Sequence, residues 1–221
     1  MAKFDLVIFD WDGTLIDSID QIVRSIHIAA TDLGVPSPSA EAARDIIGLG
    51  LPEAMRILFP QVTESDRDAL RERYAHHFVG AVAQEVTPYQ GIAALLADLH
   101  VSSTTMAVAT GKSRRGLDRV LNKTGWSDYF AATRCADETA SKPNPKMLHE
   151  LLNELKVPVE RALMVGDTTY DLAMAEAIGM ASVGVTYGVH SPERLLQHRP
   201  RALCADALSL REFLVAHAAI A

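Results

Sequence analysis

Cysteine is nearly missing from this 221-residue chain, which has only Cys135 and Cys204. Neither sits in a Cys-x-x-Cys pair, so the sequence offers no disulfide framework and no cysteine-based zinc site. Long apolar runs are missing too. The opening stretch is broken by Asp5 and Asp10, too soon for a secretory signal. No later run reaches the roughly 20 apolar residues of a membrane helix. The expected setting is the reducing cytoplasm, with no membrane partner. Positive charge is scarce: 21 lysines and arginines face 28 aspartates and glutamates, a net charge of −7. Such a surface repels phosphate backbones, which excludes nucleic acid as the main partner but leaves room for a local basic pocket that holds a small anion. Between Asp17 and Pro88 there is no lysine at all.

Several familiar signatures are absent as well. Gly111-Lys112-Ser113 looks like the end of a phosphate-binding loop, but the required upstream glycine position is Met106. Gly48-Leu49-Gly50 has Glu53 where a dinucleotide fingerprint has its third glycine, and it follows no strand. There is no G-x-S-x-G serine elbow. His76 and His77 are adjacent, so they project from different faces of a helix and make no metal pair. Cys135 reads as a small buried residue, and His190 as a surface loop residue.

What the chain does have is a 48% apolar composition, enough for one large domain or a core with a modest insertion. Leu6 to Phe9, Met106 to Ala109, Ala162 to Val165 and, more weakly, Ala181 to Val185 are apolar on both faces, the pattern of buried parallel strands. Helical patterns lie between them at Ile92 to Leu99, Ser113 to Lys123, Pro145 to Leu155 and Tyr170 to Ile178. Asn144 is placed to cap the third, with Pro145 at its first position. Leu208 to Ile220 reads as a closing helix. This alternation predicts an α/β fold, a Rossmann-like three-layer core on a mostly parallel sheet. Residues 17–87 break it. They carry helical patterns at Ile19 to Leu33, Ser39 to Ile47, Pro52 to Leu58 and Glu64 to Val86 and no strand. We read them as a small α-helical insertion into a core made of 1–16 and 88–221.

Ligands of open α/β sheets bind beyond the carboxyl ends of the strands. Three strands end there in Asp10, Thr110 and Asp167, and Asp12 and Asp171 follow closely. Lys142 stands in a loop before a helix start. Taken singly, Asp12-Gly13 could be a tight turn, Thr110 a helix cap, and Asp171 a structural acid at the head of its helix. Together, four carboxylates at one edge repel one another, and a hard cation such as Mg²⁺ would offset the repulsion. Lys142 and the metal would attract phosphate, and an ionised aspartate facing it is a plausible nucleophile.

Asp10-Trp11-Asp12-Gly13-Thr14, Thr110-Gly111, Lys142-Pro143 and Gly166-Asp167-Thr168-Thr169-Tyr170-Asp171 resemble, in order, the four motifs of the haloacid dehalogenase-like superfamily. The insertion is similar to the helical cap of its phosphoglycolate-phosphatase-like branch. The resemblance implies that Asp10 attacks phosphorus and that Asp12 protonates the leaving alkoxide and then activates water. It implies Mg²⁺ on the Asp10 carboxylate, the Asp12 backbone carbonyl and Asp167. Asp171 would join the metal site or orient Lys142. Thr110 and Lys142 would hold the phosphoryl oxygens.

The implied activity is hydrolysis of a small phosphorylated metabolite, phosphoglycolate- or sugar-phosphate-like, by a monomer or weak dimer. Expected substrate contacts are Trp11, Asp12, Thr110, Gly111, Lys112 and Lys142 in the core, with Arg44 and Gly50 in the cap. Arg115 and the loop Gly48 to Leu51 are further candidates for selectivity, and Arg44 reads equally well as a solvated helix residue. Dehalogenases of the superfamily lack the second aspartate, and its phosphonate-cleaving members need a cap lysine that this sequence does not have. A phosphosugar mutase is the alternative within the superfamily, although Ile22 stands where its histidine would be. A non-catalytic phosphate-binding protein is the alternative outside enzymes.

Overall fold

The computed structural model describes residues 4–82, 86–102 and 104–217. Its centre is a six-stranded parallel sheet. The strands are β1 (Leu6–Phe9), β2 (Thr105–Thr110), β3 (Ala132–Cys135), β4 (Ala162–Gly166), β5 (Ala181–Val185) and β6 (Ala202–Cys204), in the order β3-β2-β1-β4-β5-β6. Strand β1 is central, pairing Phe9 with Val108 on one side and with Val165 on the other.

Alternate residues of β1 enter opposite layers, as the pleat requires. Val7 and Phe9 pack with helices α5 (Ile92–Val101), α6 (Arg114–Thr124) and α10 (Ala207–His217). Leu6 and Ile8 pack with α7 (Lys146–Leu155) and α8 (Thr169–Glu176). Both faces of the strand are dry, which is why its sequence is apolar without alternation.

Strands β3 and β6 were not expected. Both are edge strands, short and only partly buried, and β3 carries Thr133 and Arg134 in its middle. An edge strand needs no continuous apolar run, so its sequence gives little signal. The expected helix cap at α7 is displaced by one residue. Pro145 holds the cap position and the helix starts at Lys146, whose N–H is accepted by Asn144 Oδ1 at 3.0 Å. The expected end of the last helix, Ala218 to Ile220, lies outside the described residues, as do 83–85 near the expected end of the helix from Glu64.

Between β1 and α5 the chain forms helices α1 (Ile19–Asp32), α2 (Ala40–Asp45), α3 (Leu51–Leu58) and α4 (Glu64–Val82). They bury an apolar cluster of their own, including Ile22, Ile26, Met55 and Leu70. The two chain segments that join this insertion to the sheet are tied together. Ile16 bridges to Pro88, Asp17 N–H donates to the Thr87 carbonyl at 2.9 Å, and Tyr89 N–H donates to that of Leu15 at 3.1 Å. Among the described residues no helix is long and apolar enough to cross a membrane. Both cysteines are free and buried.

The layering sets a stability contrast. Ile8→Ala should lower the unfolding free energy by about 2–5 kcal/mol, through lost burial and the cavity left behind. Val101→Ala, at a position 84% exposed, should stay within about 0.5 kcal/mol. Urea titration of the two variants measures the contrast, and equal losses would contradict the assignment of Ile8 to the core.

Candidate active site

Strand order reverses at β1. The chain moves outward through β2 and β3, then returns to the other side of β1 for β4, β5 and β6. The crevice beyond the carboxyl ends of β1 and β4 is therefore the topological switch point. Asp10 leaves β1 there with its N–H donated to the Val165 carbonyl at 2.9 Å, and Asp167 leaves β4 beside it.

The centre of the site is Lys142, which is fully buried. Its ammonium lies 2.6 Å from Asp10 Oδ1 and donates to Asp171 Oδ1 at 2.6 Å. The loop between β3 and α7 delivers it. Asp171 does two jobs at once. While Oδ1 takes Lys142, Oδ2 accepts from the Thr168 hydroxyl at 2.7 Å and from its N–H, closing a capping box at the head of α8. Of the readings the sequence left open for this residue, the contacts of a structural acid and of a partner of Lys142 are present together.

Oxygens of Asp10, Asp167 and Asp171 come within 4.8 Å of one another, all buried. Burial pushes the Asp10 carboxyl well up; Lys142 opposes this, while Asp171 and Asp167 add to it. Asp167 is pushed up to about 7, chiefly by burial and then by Asp171. It rises even though Val189 N–H and the Thr14 hydroxyl each donate to it at 2.8 Å. Burial would push Lys142 down, but Asp10 and Asp171 outweigh it and hold the ammonium above its ordinary range. Asp10 Oδ2 is buried with no hydrogen-bond partner. Three carboxylates against one ammonium leave negative charge that only a proton or a cation can offset. An all-oxygen set with an orphaned carboxylate oxygen fits a hard divalent ion such as Mg²⁺.

The Asp12 side chain is not part of that cluster. Its carboxylate takes Lys112 Nζ at 2.8 and 2.7 Å and the Ser18 hydroxyl at 2.6 Å. Of its atoms, the backbone carbonyl is what remains for a metal. Gly13 lets this turn close on Asp167. Its φ is +85°, and a Cβ there would lie 2.2 Å from Asp167 Oδ2.

A cavity of about 520 Å³ opens from Asp10, Asp12 and Thr110 toward the helical insertion. Gly111 and Lys112 line it from the core, and Ile22, Ile26, Leu49 and Met55 from the insertion. Gly111 is where the two parts touch: a Cβ there would meet the carbonyl oxygens of Gly48 and Leu49 at 2.5 Å. Thr110 Oγ1 accepts the Lys112 N–H at 3.2 Å, so it holds the turn as well as facing the cavity.

Four expected contacts do not line the cavity. Lys142 is fully buried between Asp10 and Asp171. Arg44 is half exposed and paired with Asp20. The Trp11 indole is sealed in the core, edge-on to Trp126 and Phe130 at 6.0 and 6.1 Å. Gly50 faces the loop that carries Lys142, its N–H donated to Ser141 Oγ at 2.8 Å. His190 corrects the sequence reading, since it is buried, 2% exposed. Its Nδ1 accepts Thr169 N–H at 2.8 Å, and burial lowers its basicity. Sequence reasoning missed Ser18, Thr168, Ser141 and the pairing of Asp45 with Arg194, which reaches from the insertion to the core. Ser18 and Asp45 are single polar residues of a loop and a helix and carry no motif. Thr14 and Thr168 stood inside the first and fourth motifs, but no role had been given to them.

Known proteins resemble this chain in sequence and in fold. The family model for haloacid dehalogenase-like hydrolases matches residues 7–185. A protein of Dickeya dadantii named "Probable phosphatase IndB" is 34% identical over 90% of this chain and 88% of its own. A phosphoglycolate phosphatase of Vibrio parahaemolyticus is 32% identical over 92% of each chain. The crystal structure of a hydrolase from Pseudomonas syringae superposes with a TM-score of 0.87 at 21% identity, over 99% of this chain and 100% of that one, a likeness of fold.

Gly111→Ala tests the contact between insertion and core. Overpacking of about 1–3 kcal/mol should lift the Gly48–Leu49 loop. Amide exchange at Gly50, whose N–H is held by Ser141, should then speed up by about tenfold or more while β1 and β4 stay protected. Unchanged exchange at Gly50 would mean that the loop has room to spare.

Proposed function

We infer the activity from one premise: the chain belongs to the haloacid dehalogenase-like hydrolase family. On that premise it is a magnesium-dependent phosphatase that hydrolyses a small phosphomonoester through an aspartyl-phosphate on Asp10. One observation carries the reading. The buried Asp10 carboxylate has one oxygen on Lys142 and the other without a partner, and it lines a cavity shared with Asp12 and Thr110.

Asp10, Asp167 and the Asp12 carbonyl would hold Mg²⁺, with Asp171 fixing Lys142 beside them; the bound ion supplies positive charge that offsets the carboxylates and favours a phosphate dianion. An Asp10 oxygen attacks phosphorus, and its new P–O bond forms as the bond to the leaving oxygen breaks. Asp12 gives that oxygen its proton. Water then attacks the same phosphorus, Asp12 takes its proton, and the bond to Asp10 breaks to release inorganic phosphate. Lys142 and Thr110 hold the phosphoryl oxygens in both steps.

Residues 17–87 serve as a cap over the core of 1–16 and 88–221, hinged at the paired segments around Ile16 and Pro88, and its closure excludes water. The names of the relatives keep phosphoglycolate among the candidate substrates, and the resemblance keeps sugar phosphates. Mutase chemistry is disfavoured by Ile22, which lines the cavity and offers no group to move a proton.

The decisive assay is turnover of para-nitrophenyl phosphate with and without Mg²⁺, by wild type and by Asp10→Asn. Removing the nucleophile should cost at least about three orders of magnitude in rate. Robust turnover by pure Asp10→Asn would falsify the covalent route, and turnover indifferent to chelation would remove the metal from the reading.

Asp12 is tested by the leaving group. A nitrophenolate departs without a proton and an alkoxide does not. In single-turnover measurements of the phosphorylation step, Asp12→Asn should slow an alkyl phosphate about tenfold more than para-nitrophenyl phosphate. Equal slowing would argue against the acid role.

A further inference from the structure

The cavity is larger and drier than a small anion requires. At about 520 Å³ it falls in the range of roughly 300–1,000 Å³ typical of pockets for drug-sized ligands. Its phosphate end is polar, at Asp10, Asp12, Thr110 and Lys112. Its cap side is not. Ile22, Ile26, Ile47, Leu49 and Met55 are all buried there. Beside them Tyr74 and Phe78 form a stacked pair, with centroids 5.5 Å apart and planes inclined by 15°. The Lys112 ammonium lies 4.7 Å from the centre of the Phe78 ring.

No arginine of the insertion lines this space. Arg44, Arg67 and Arg71 are paired with acids of the insertion itself. Arg24 borders a separate small pocket, and Arg56 and Arg73 are exposed. Lys112 is committed to Asp12. The remaining charged or basic lining groups, Glu72, His76 and Arg115, are solvent-exposed, and Arg119 is half-buried. A substrate with a carboxylate seated against isoleucine, leucine and methionine would meet no cation of the insertion and would have to reach across to Arg115 or Arg119 on the core side, or else bury its charge at a heavy desolvation cost. An extended apolar body would instead displace water from apolar walls.

We propose that the substrate is a phosphomonoester whose alcohol part is uncharged, mainly apolar and about the size of an aromatic ring system, seated against Tyr74 and Phe78 with its phosphate at Asp10. This rests on the phosphatase reading and narrows it, away from phosphoglycolate and other esters with a second anionic group.

The test compares kcat/KM for benzyl phosphate, hexyl phosphate, phosphoglycolate and glucose 6-phosphate, all esters of alcohols, with para-nitrophenyl phosphate as a control for phosphatase activity. Benzyl phosphate should exceed phosphoglycolate by at least about tenfold, the worth of roughly two buried methylenes. Phe78→Ala and Leu51→Arg, checked for folding by circular dichroism, should each shift that ratio toward phosphoglycolate by about tenfold. The second variant does so by supplying a cation on the insertion side of the cavity. A preference for phosphoglycolate or glucose 6-phosphate, or a ratio unmoved in both folded variants, overturns the proposed class and leaves the phosphatase reading standing. Hydrolysis of the control alone does the same. Inactivity toward every ester, the control included, overturns both.

Discussion

Lys142 is the charge on which this molecule is organised. Its ammonium, with no exposed surface, is held between Asp10 and Asp171 at 2.6 Å from each. Removing one partner from a buried pair costs about 3–5 kcal/mol, because the other is left uncompensated. The arrangement therefore constrains three chain segments at once: the end of β1, the loop before α7 and the head of α8. Each is tied again by a local device. Asp10 is fixed through its N–H to Val165, and Asp171 through the capping box with Thr168. Asn144 caps the first helical N–H just beyond Lys142. On the proposed function, a nucleophile held this firmly would lose little freedom on meeting phosphorus.

Most of this was legible in the sequence, for physical reasons that also explain what was not. Strand β1 is dry on both faces, so four apolar residues followed by Asp10 suffice to locate it. The catalytic candidates stand at strand ends or in tight turns, where spacing is fixed by backbone geometry and survives as a motif. Strands β3 and β6 escape because an edge strand may be wet and short. His190 escapes because its burial comes from packing under Tyr170 and against Asp45, which is 145 residues away in the chain. Arg44 was attractive as a cation near a glycine-rich loop, yet Asp20 is within its reach on the neighbouring helix and takes it. The apolar character of the cavity was not legible at all. Its lining comes from α1, α3, α4 and a loop, and each residue taken alone looks like ordinary helix core.

The insertion meets the core along two borders of different chemistry. On one, Lys112 bridges Asp12 of the core to the Phe78 ring of the insertion. On the other, Asp45 pairs with Arg194 while its carbonyl accepts the Tyr170 hydroxyl at 2.9 Å. His190 Nε2 stands 3.3 Å from the same carboxylate. Between them lies the close backbone contact at Gly111. The Asp45–Arg194 pair is partly exposed and forms and breaks at small net cost, whereas Lys112 and Asp12 are nearly buried.

The same division applies to what each part can discriminate. Groups that touch phosphorus must satisfy the same charge and geometry whatever ester is bound, so the core can vary little. The walls of the insertion touch only the alcohol, and their cost is set by area and charge. A single cation placed there would change which ester is favoured without altering how its phosphate is held. Here every arginine of the insertion is turned outward or paired with an acid. For the proposed substrate class the insertion discriminates by shape and dryness, with the stacked Tyr74 and Phe78 rings as its flat surface. Lys112 joins the two tasks. Its ammonium lies beside the Phe78 ring and is neutralised by Asp12, and on the proposed reading it is thereby withheld from recognising an anionic substrate.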